Sequence, residues 1–113
     1  MYVFGGWKYN PLKSLKTVLV EKGTVSYIPG GFDHFIKDVV DYPSTISSFG
    51  WAQPSLQAKT TILRSKTPPN IGDNSLGGNG LVYVPDDVIG VYRHSNGWSR
   101  VADRIYPLSE YQP

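Results

Sequence analysis

A group of side chains in the second half of the chain has the types and spacing of a ligand-binding face: Tyr83, Tyr92, Arg93, Trp98, Arg100 and Tyr106. Aromatic rings offer flat stacking surfaces, and guanidinium groups beside them offer planar donor forks, so this interleaving suits a glycan or a peptide. Arg64, Arg104 and Tyr111 extend the set. On an extended chain, alternation puts Val91 and Arg93 on one face and Tyr92 and His94 on the other, and it puts Trp98 on the face of Arg100. Two roles stand for Trp98, which follows the turn dipeptide Asn96-Gly97. It closes the end of a small core, or it is a platform for a ligand.

Catalytic chemistry finds little to work with. The only histidines are His34 and His94, and "DHFIKD" around the first does not have the ligand spacing of a zinc site, which needs three or four ligands in tetrahedral array. With no cysteine, thiolate metal ligands, a thiol nucleophile and disulfides are excluded. Asp86 and Asp87 are adjacent and follow Pro85, so they read as turn residues rather than as a spaced carboxylate pair. There is no Gly-x-Ser-x-Gly, no His-Glu-x-x-His and no phosphate loop. "GGNG" at 77–80 precedes no helix that could make it an anion cradle. The expectation is a non-enzymatic chain with no metal and no cofactor.

The elements that must position these side chains read mostly as strands. "LKTVLV" at 15–20 alternates and is β-rich, "VSYIPGGF" is a second short strand stopped by Pro29-Gly30-Gly31, and "KTTILRS" at 59–65 is a third. Between them, Phe35, Ile36, Val39, Val40 and Tyr42 are spaced for a helix over 33–42, with Asp33 as its cap and Pro43 as its stop. "PSTISSFGWAQPSLQ" is rich in Ser, Gly and Pro, and a boundary is placed near residues 52–58, dividing the chain into 1–57 and 58–113. "KTPPNIGDNSLGGNG" at 66–80 is a long loop of the kind that usually carries function. "LVYV", "VIGVYRH" and "WSRVA" follow as strands, the last two joined by an Asn-Gly hairpin. "RIYPL" closes as a strand or a 3₁₀ turn.

Composition supports a folded β-rich protein. Hydrophobic residues are 40% of the 113, charged residues 18%, and 12 Gly with 9 Pro break the chain too often for long helices. The formal net charge of +2 is spread without a run of like charges, so nucleic acid is not indicated as a partner. No stretch approaches the roughly 20 apolar residues of a membrane span, and the N-terminus lacks a secretory signal pattern. That leaves a cytoplasmic, virion-associated or lysis-released location. Gly-Trp recurs at 6–7, 50–51 and 97–98, spacings that fit either a degenerate duplication or chance.

Leu63-Arg64-Ser65, "VYRHSNGWSRV" and "RIYPLSEY" together resemble the bacterial SH3-like, cell-wall-targeting domain family over residues 58–112. The resemblance implies an all-β fold with a small SH3-like barrel, and the N-terminal β-rich segment packs on it or forms a degenerate second unit. It also implies a phage or prophage binding module for a cell-wall polymer or peptide, held by the aromatic face and the 66–80 loop. The alternative is a structural virion protein, a tail or head-completion component that contacts other virion proteins or copies of itself. A weaker alternative is a single-stranded nucleic-acid binder.

Overall fold

The computed structural model describes residues 26–112, together with the backbone of strands at 2–4, 7–9 and 17–20. Nine strands are formed: β1 (Tyr2–Phe4), β2 (Trp7–Tyr9), β3 (Thr17–Val20), β4 (Tyr27–Ile28), β5 (Val39–Tyr42), β6 (Ser48–Phe49), β7 (Thr60–Leu63), β8 (Leu81–Val84) and β9 (Ile105–Pro107). They make one sheet in the order β1-β2-β3-β5-β7-β8-β9 and a two-stranded sheet β4-β6. Only β1, β2 and β3 pair antiparallel. Every later neighbour is parallel, in β3-β5, β5-β7, β7-β8 and β8-β9 as in β4-β6.

This overturns the expected all-β SH3-like barrel, because the fold is a mixed α/β one with parallel strands and helical turns. A hairpin barrel joins neighbouring strands by tight turns, whereas parallel neighbours need a long crossover. Here the crossover is a complete circuit of the chain. Thr17 pairs with Val39, Val39 with Thr60, Thr60 with Leu81 and Val82 with Ile105, so each circuit takes about 22 residues. The second sheet keeps the same period, with Tyr27 on Ser48 and Ser48 bridged to Asn70. The chain is thus wound as a short stack of turns. Each turn contacts the next over its whole length, as in repeat architectures.

The period explains which side chains are inside. Val40, Thr61, Val82 and Ile105 form one inward column, and Tyr42, Leu63 and Val84 lie in the next, all fully buried. Ile28 and Phe49 face them from the second sheet, and Ile36, Ile46, Leu56, Ala58 and Leu76 fill the space between. The third side of each turn has no regular strand but is stacked just as closely. Ala52 N–H donates to Asp73 O at 2.7 Å, Leu76 N–H to Pro54 O at 2.8 Å and Gly80 N–H to Leu56 O at 3.0 Å. A Cβ at Gly72, Gly78 or Gly80 would overlap the carbonyl of Gly50, Leu56 or Ala58 on the turn beneath, so glycine here is what lets two backbones meet. The stretch 52–58, where composition suggested a boundary, lies inside this stack.

The helix expected over 33–42 is absent. Residues 30–35 are turns and 39–42 are β5. Val39 and Val40 are β-branched, and pairing on both sides of the strand outweighs a weak helical spacing. Asp33 caps nothing. Its buried carboxylate accepts from Ser55 N–H at 3.1 and 3.2 Å and from Tyr42 Oη at 3.2 Å, while its own N–H donates to Gln53 Oε1 at 2.9 Å. One side chain therefore ties two turns of the stack together.

The strands expected at "VIGVYRH" and "WSRVA" are helical. After a 3₁₀ turn at Asp86–Val88 comes α1 (Ile89–Arg93), and Trp98–Arg104 is a kinked 3₁₀ segment. Val88, Ile89 and Tyr92, then Trp98 and Val101, are apolar at helical spacing and pack on the core. The Asn-Gly step does turn the chain, with Gly97 at φ 85°, but it joins two helical pieces. Of the two alternatives for "RIYPL" the strand is found, as β9, and a 3₁₀ turn at Leu108–Glu110 follows it.

Candidate functional site

The residues proposed from sequence separate into two groups. Trp98 and Tyr92 are fully buried and meet edge to face with ring centroids 5.4 Å apart. Trp98 Nε1–H donates to Pro69 O at 2.9 Å and Tyr92 Oη–H to Ser65 O at 2.7 Å. Each ring thus buries its body and satisfies its polar tip on the last full turn. Burial raises the Tyr92 phenol well above its usual value. Arg93 reaches from α1 to donate to Ile105 O at 2.5 Å, occupying a carbonyl on the last strand. Pro107 in β9 has no N–H to offer. This is the closing element of the stack, and neither Tyr92 nor Trp98 presents a face to solvent.

Tyr83 and Tyr106 lie on the outer face of the sheet with Tyr111, with ring centroids 6.0 and 5.2 Å from Tyr83. Tyr111 comes from the tail after β9, which folds back over this face, and Asp86 Oδ1 accepts from Ser109 N–H at 3.0 Å to hold it there. Burial, then the charges of Asp38 and Asp41, raise the Tyr111 phenol. Arg64 makes a two-point contact to Asp41 at 2.8 Å for both bonds. Lys66 pairs with Asp87 at 2.8 Å. Asp86 and Asp87 are therefore surface anchors, their carboxyls held below the usual range by the Ser109 and Lys66 hydrogen bonds.

Arg100 lies elsewhere. It lines a depression of about 400 Å³ between the 68–74 loop and the 95–97 turn, with Asn70, Asp73, Asn74, Ser95 and Asn96 around it. Arg100 Nε–H donates to Gly97 O at 3.2 Å and its terminal nitrogen lies 3.4 Å from Ser75 Oγ, so the guanidinium is fixed at the rim. Pro68 and Pro69 stiffen the opposite wall. Amides supply both donors and acceptors, the carboxylate accepts and the guanidinium donates. The site is equipped for a polar, hydroxyl-rich ligand.

Two exposed rings lie on the turns stacked next to this depression. Trp51 is 60% exposed and Tyr27 54%, although large rings are normally buried. Gly72 of the depression rests on the backbone of Gly50 and Trp51, and Phe49 N–H donates to Asn70 O at 2.8 Å. Tyr27 extends its hydroxyl over Gly50, where no side chain blocks it. Stacking thus places two exposed rings one and two turns away from the polar wall. The sequence drew attention to the 66–80 loop and to Arg100 but not to Tyr27 or Trp51. Gly50-Trp51 gave a signal only as an echo of Gly97-Trp98. Those two tryptophans occupy unlike places, and the side chain of Trp7 lies outside the described residues.

Each histidine ring lies against a backbone carbonyl. His34 Nε2 lies 3.4 Å from Ala52 O and His94 Nδ1 2.8 Å from Gly90 O. Among the described residues no group of three or more His, Asp or Glu is placed to hold a metal ion, and no helix is long and apolar enough to cross a membrane.

Fold and site define a short parallel stack of turns whose final circuit runs through helical turns, with a polar depression and, on neighbouring turns, exposed aromatics. No protein-family model matches the chain, and no curated protein or solved structure matches it.

Proposed function

We propose that the protein is a non-catalytic binding module for a polysaccharide of the bacterial cell wall, held by the depression around Asp73, Asn74, Asn96 and Arg100 and by the Trp51 ring. The observation that carries this reading is an open polar depression whose Gly72 rests on the backbone of Gly50 and Trp51, the latter bearing an exposed indole. Small-molecule pockets are enclosed and mostly apolar, whereas this one is open and lined by amides, a carboxylate and a guanidinium. Sugar rings present hydroxyls at their edges and C–H groups on their faces. Polar side chains serve the first and an exposed indole the second.

Purified protein is expected to sediment with isolated cell walls and to bind soluble wall glycan fragments in calorimetry. Asp73→Ala and Trp51→Ala each weaken that binding about ten-fold, the equivalent of about 1.4 kcal/mol, with unchanged far-UV circular dichroism. Tyr106→Ala on the outer face leaves it unchanged. Failure to bind walls, or equal binding by both site variants, overturns the proposal.

A further inference from the structure

The chain contains two Asn-Gly steps, Asn79-Gly80 and Asn96-Gly97, and the fold treats them differently. Gly80 is buried in the stack and its N–H donates to Leu56 O at 3.0 Å. Gly97 is at the surface turn with φ 85°, Asn96 is exposed, and the Gly97 N–H has no hydrogen-bond partner among the described residues. We propose that Asn96 is a site of spontaneous deamidation, a self-modification that places a carboxylate in the wall of the polar depression, and that Asn79 is protected from it.

The chemistry requires only water. The Gly97 amide gives its proton to hydroxide and its nitrogen attacks Cγ of the Asn96 side chain. A new N–Cγ bond closes a five-membered succinimide as the Cγ–Nδ2 bond breaks, and the departing nitrogen takes a proton from water to leave as ammonia. Water then opens either carbonyl of the ring, giving aspartate or isoaspartate at position 96. Glycine favours the step because no side chain shields its nitrogen. At Gly80 the same nitrogen must first release its bond to Leu56 and leave the stack. A hydrogen bond contributes about 1 kcal/mol net, and opening buried backbone adds to that. About five-fold slower conversion at Asn79 is therefore a lower bound.

The modification changes the site as well as the mass. Asn96 shares the depression with Asp73 and Arg100, so a second carboxylate there turns an amide that donates and accepts into a group that only accepts. A consequence for ligand affinity rests on the binding reading above, whereas the modification itself does not.

Peptide mapping by mass spectrometry, after incubation of the native protein in mildly alkaline buffer, tests it. The expected result is the mass gain of amide-to-acid conversion at position 96, with isoaspartate, at least about five-fold faster than at position 79. In denaturant the two steps should convert at similar rates. Asn96→Gln, which leaves Gly97 and its turn in place, abolishes the early product. Equal native rates at the two positions, or an intact Asn96 after a time that converts it in denaturant, overturns the proposal. Glycan titration of the aged protein is a separate readout: deamidation without any change in affinity leaves the modification standing and counts against the binding site.

Discussion

The stacked turns and the segment that closes them solve the same burial problem with different materials. In the stack, residues 26–84, small and β-branched side chains repeat in columns such as Val40, Thr61 and Val82, and each turn covers its neighbour. In the closing segment, the crossover from β8 to β9 runs through helical turns, and large rings carried on them, Trp98 and Tyr92, cover the layer beneath. Repetition needs only side chains that fit between two similar layers. Termination needs bulk, polar tips that find carbonyls, and a way to stop the ladder. The ends of stacked architectures need such caps because an uncovered layer exposes apolar surface and open strand edges.

If this contrast is right, Trp98→Ala is the most damaging change. It removes the largest fully buried side chain among the described residues, uncovers the layer beneath and orphans the Pro69 carbonyl. Chemical denaturation should show a loss of about 3–5 kcal/mol. A loss below about 1 kcal/mol would mean that the end of the stack does not need its cover.

Within the stack the largest polar effect belongs to Asp33→Ala. Ser55 N–H and Tyr42 Oη lose their acceptor inside the core, and the expected loss is about 3 kcal/mol. Amide exchange should show it concentrated at residues 53–56. Uniform loosening would instead indicate that the turns unfold as one unit.

Alkaline titration separates the two regions by a tyrosine each. Burial raises both phenols, and for Tyr42 the Asp33 charge adds to it. Below the usual tyrosine value of 10.0 both folded and unfolded chains keep these protons. Above it the unfolded chain releases protons that the folded chain retains, so stability falls as pH rises past that point. Denaturant midpoints measured across this range should decline. Tyr92→Phe should flatten the decline while lowering neutral-pH stability by about 1–2 kcal/mol through the unpaired Ser65 carbonyl.

The smallest effect is expected on the outer face. Arg64→Ala breaks a two-point contact to Asp41, but the pair is part-exposed, and about 0.5 kcal/mol is the expected loss in a thermal melt. A larger value would show the face to be better shielded by the Tyr111 tail than its exposure implies.

How far each region can be read from sequence follows the same division. The strands were legible wherever β-branched runs are local, as at Thr17–Val20, Thr60–Leu63 and Leu81–Val84. Their parallel pairing was not, because the partner lies about 22 residues away and the repeat is carried by burial class rather than by residue identity: valine, threonine and isoleucine share one column. The closing helices were legible in principle from Tyr92, Trp98 and Val101, but Asn96-Gly97 between two short β-rich runs gives the same signal as a hairpin. Of the site, the 66–80 loop and Arg100 stood out by composition. Tyr83, Tyr106, Arg93 and the buried Tyr92 and Trp98 shared their residue types with a ligand face while serving the sheet's outer surface and the cap. Trp51 gave no local signal of exposure, because the turns that its backbone stacks between lie about 22 residues away in sequence.

The central claim is that ligand meets the Trp51 side of the stack and not the buried Trp98. Indole N–H resonances report both in one spectrum. During titration with soluble wall glycan fragments, the account predicts that the Trp51 indole and the side-chain amides of Asn74 and Asn96 shift while the Trp98 indole stays fixed. A shift at Trp98 with Trp51 unmoved, or no shift at any of them, would contradict it.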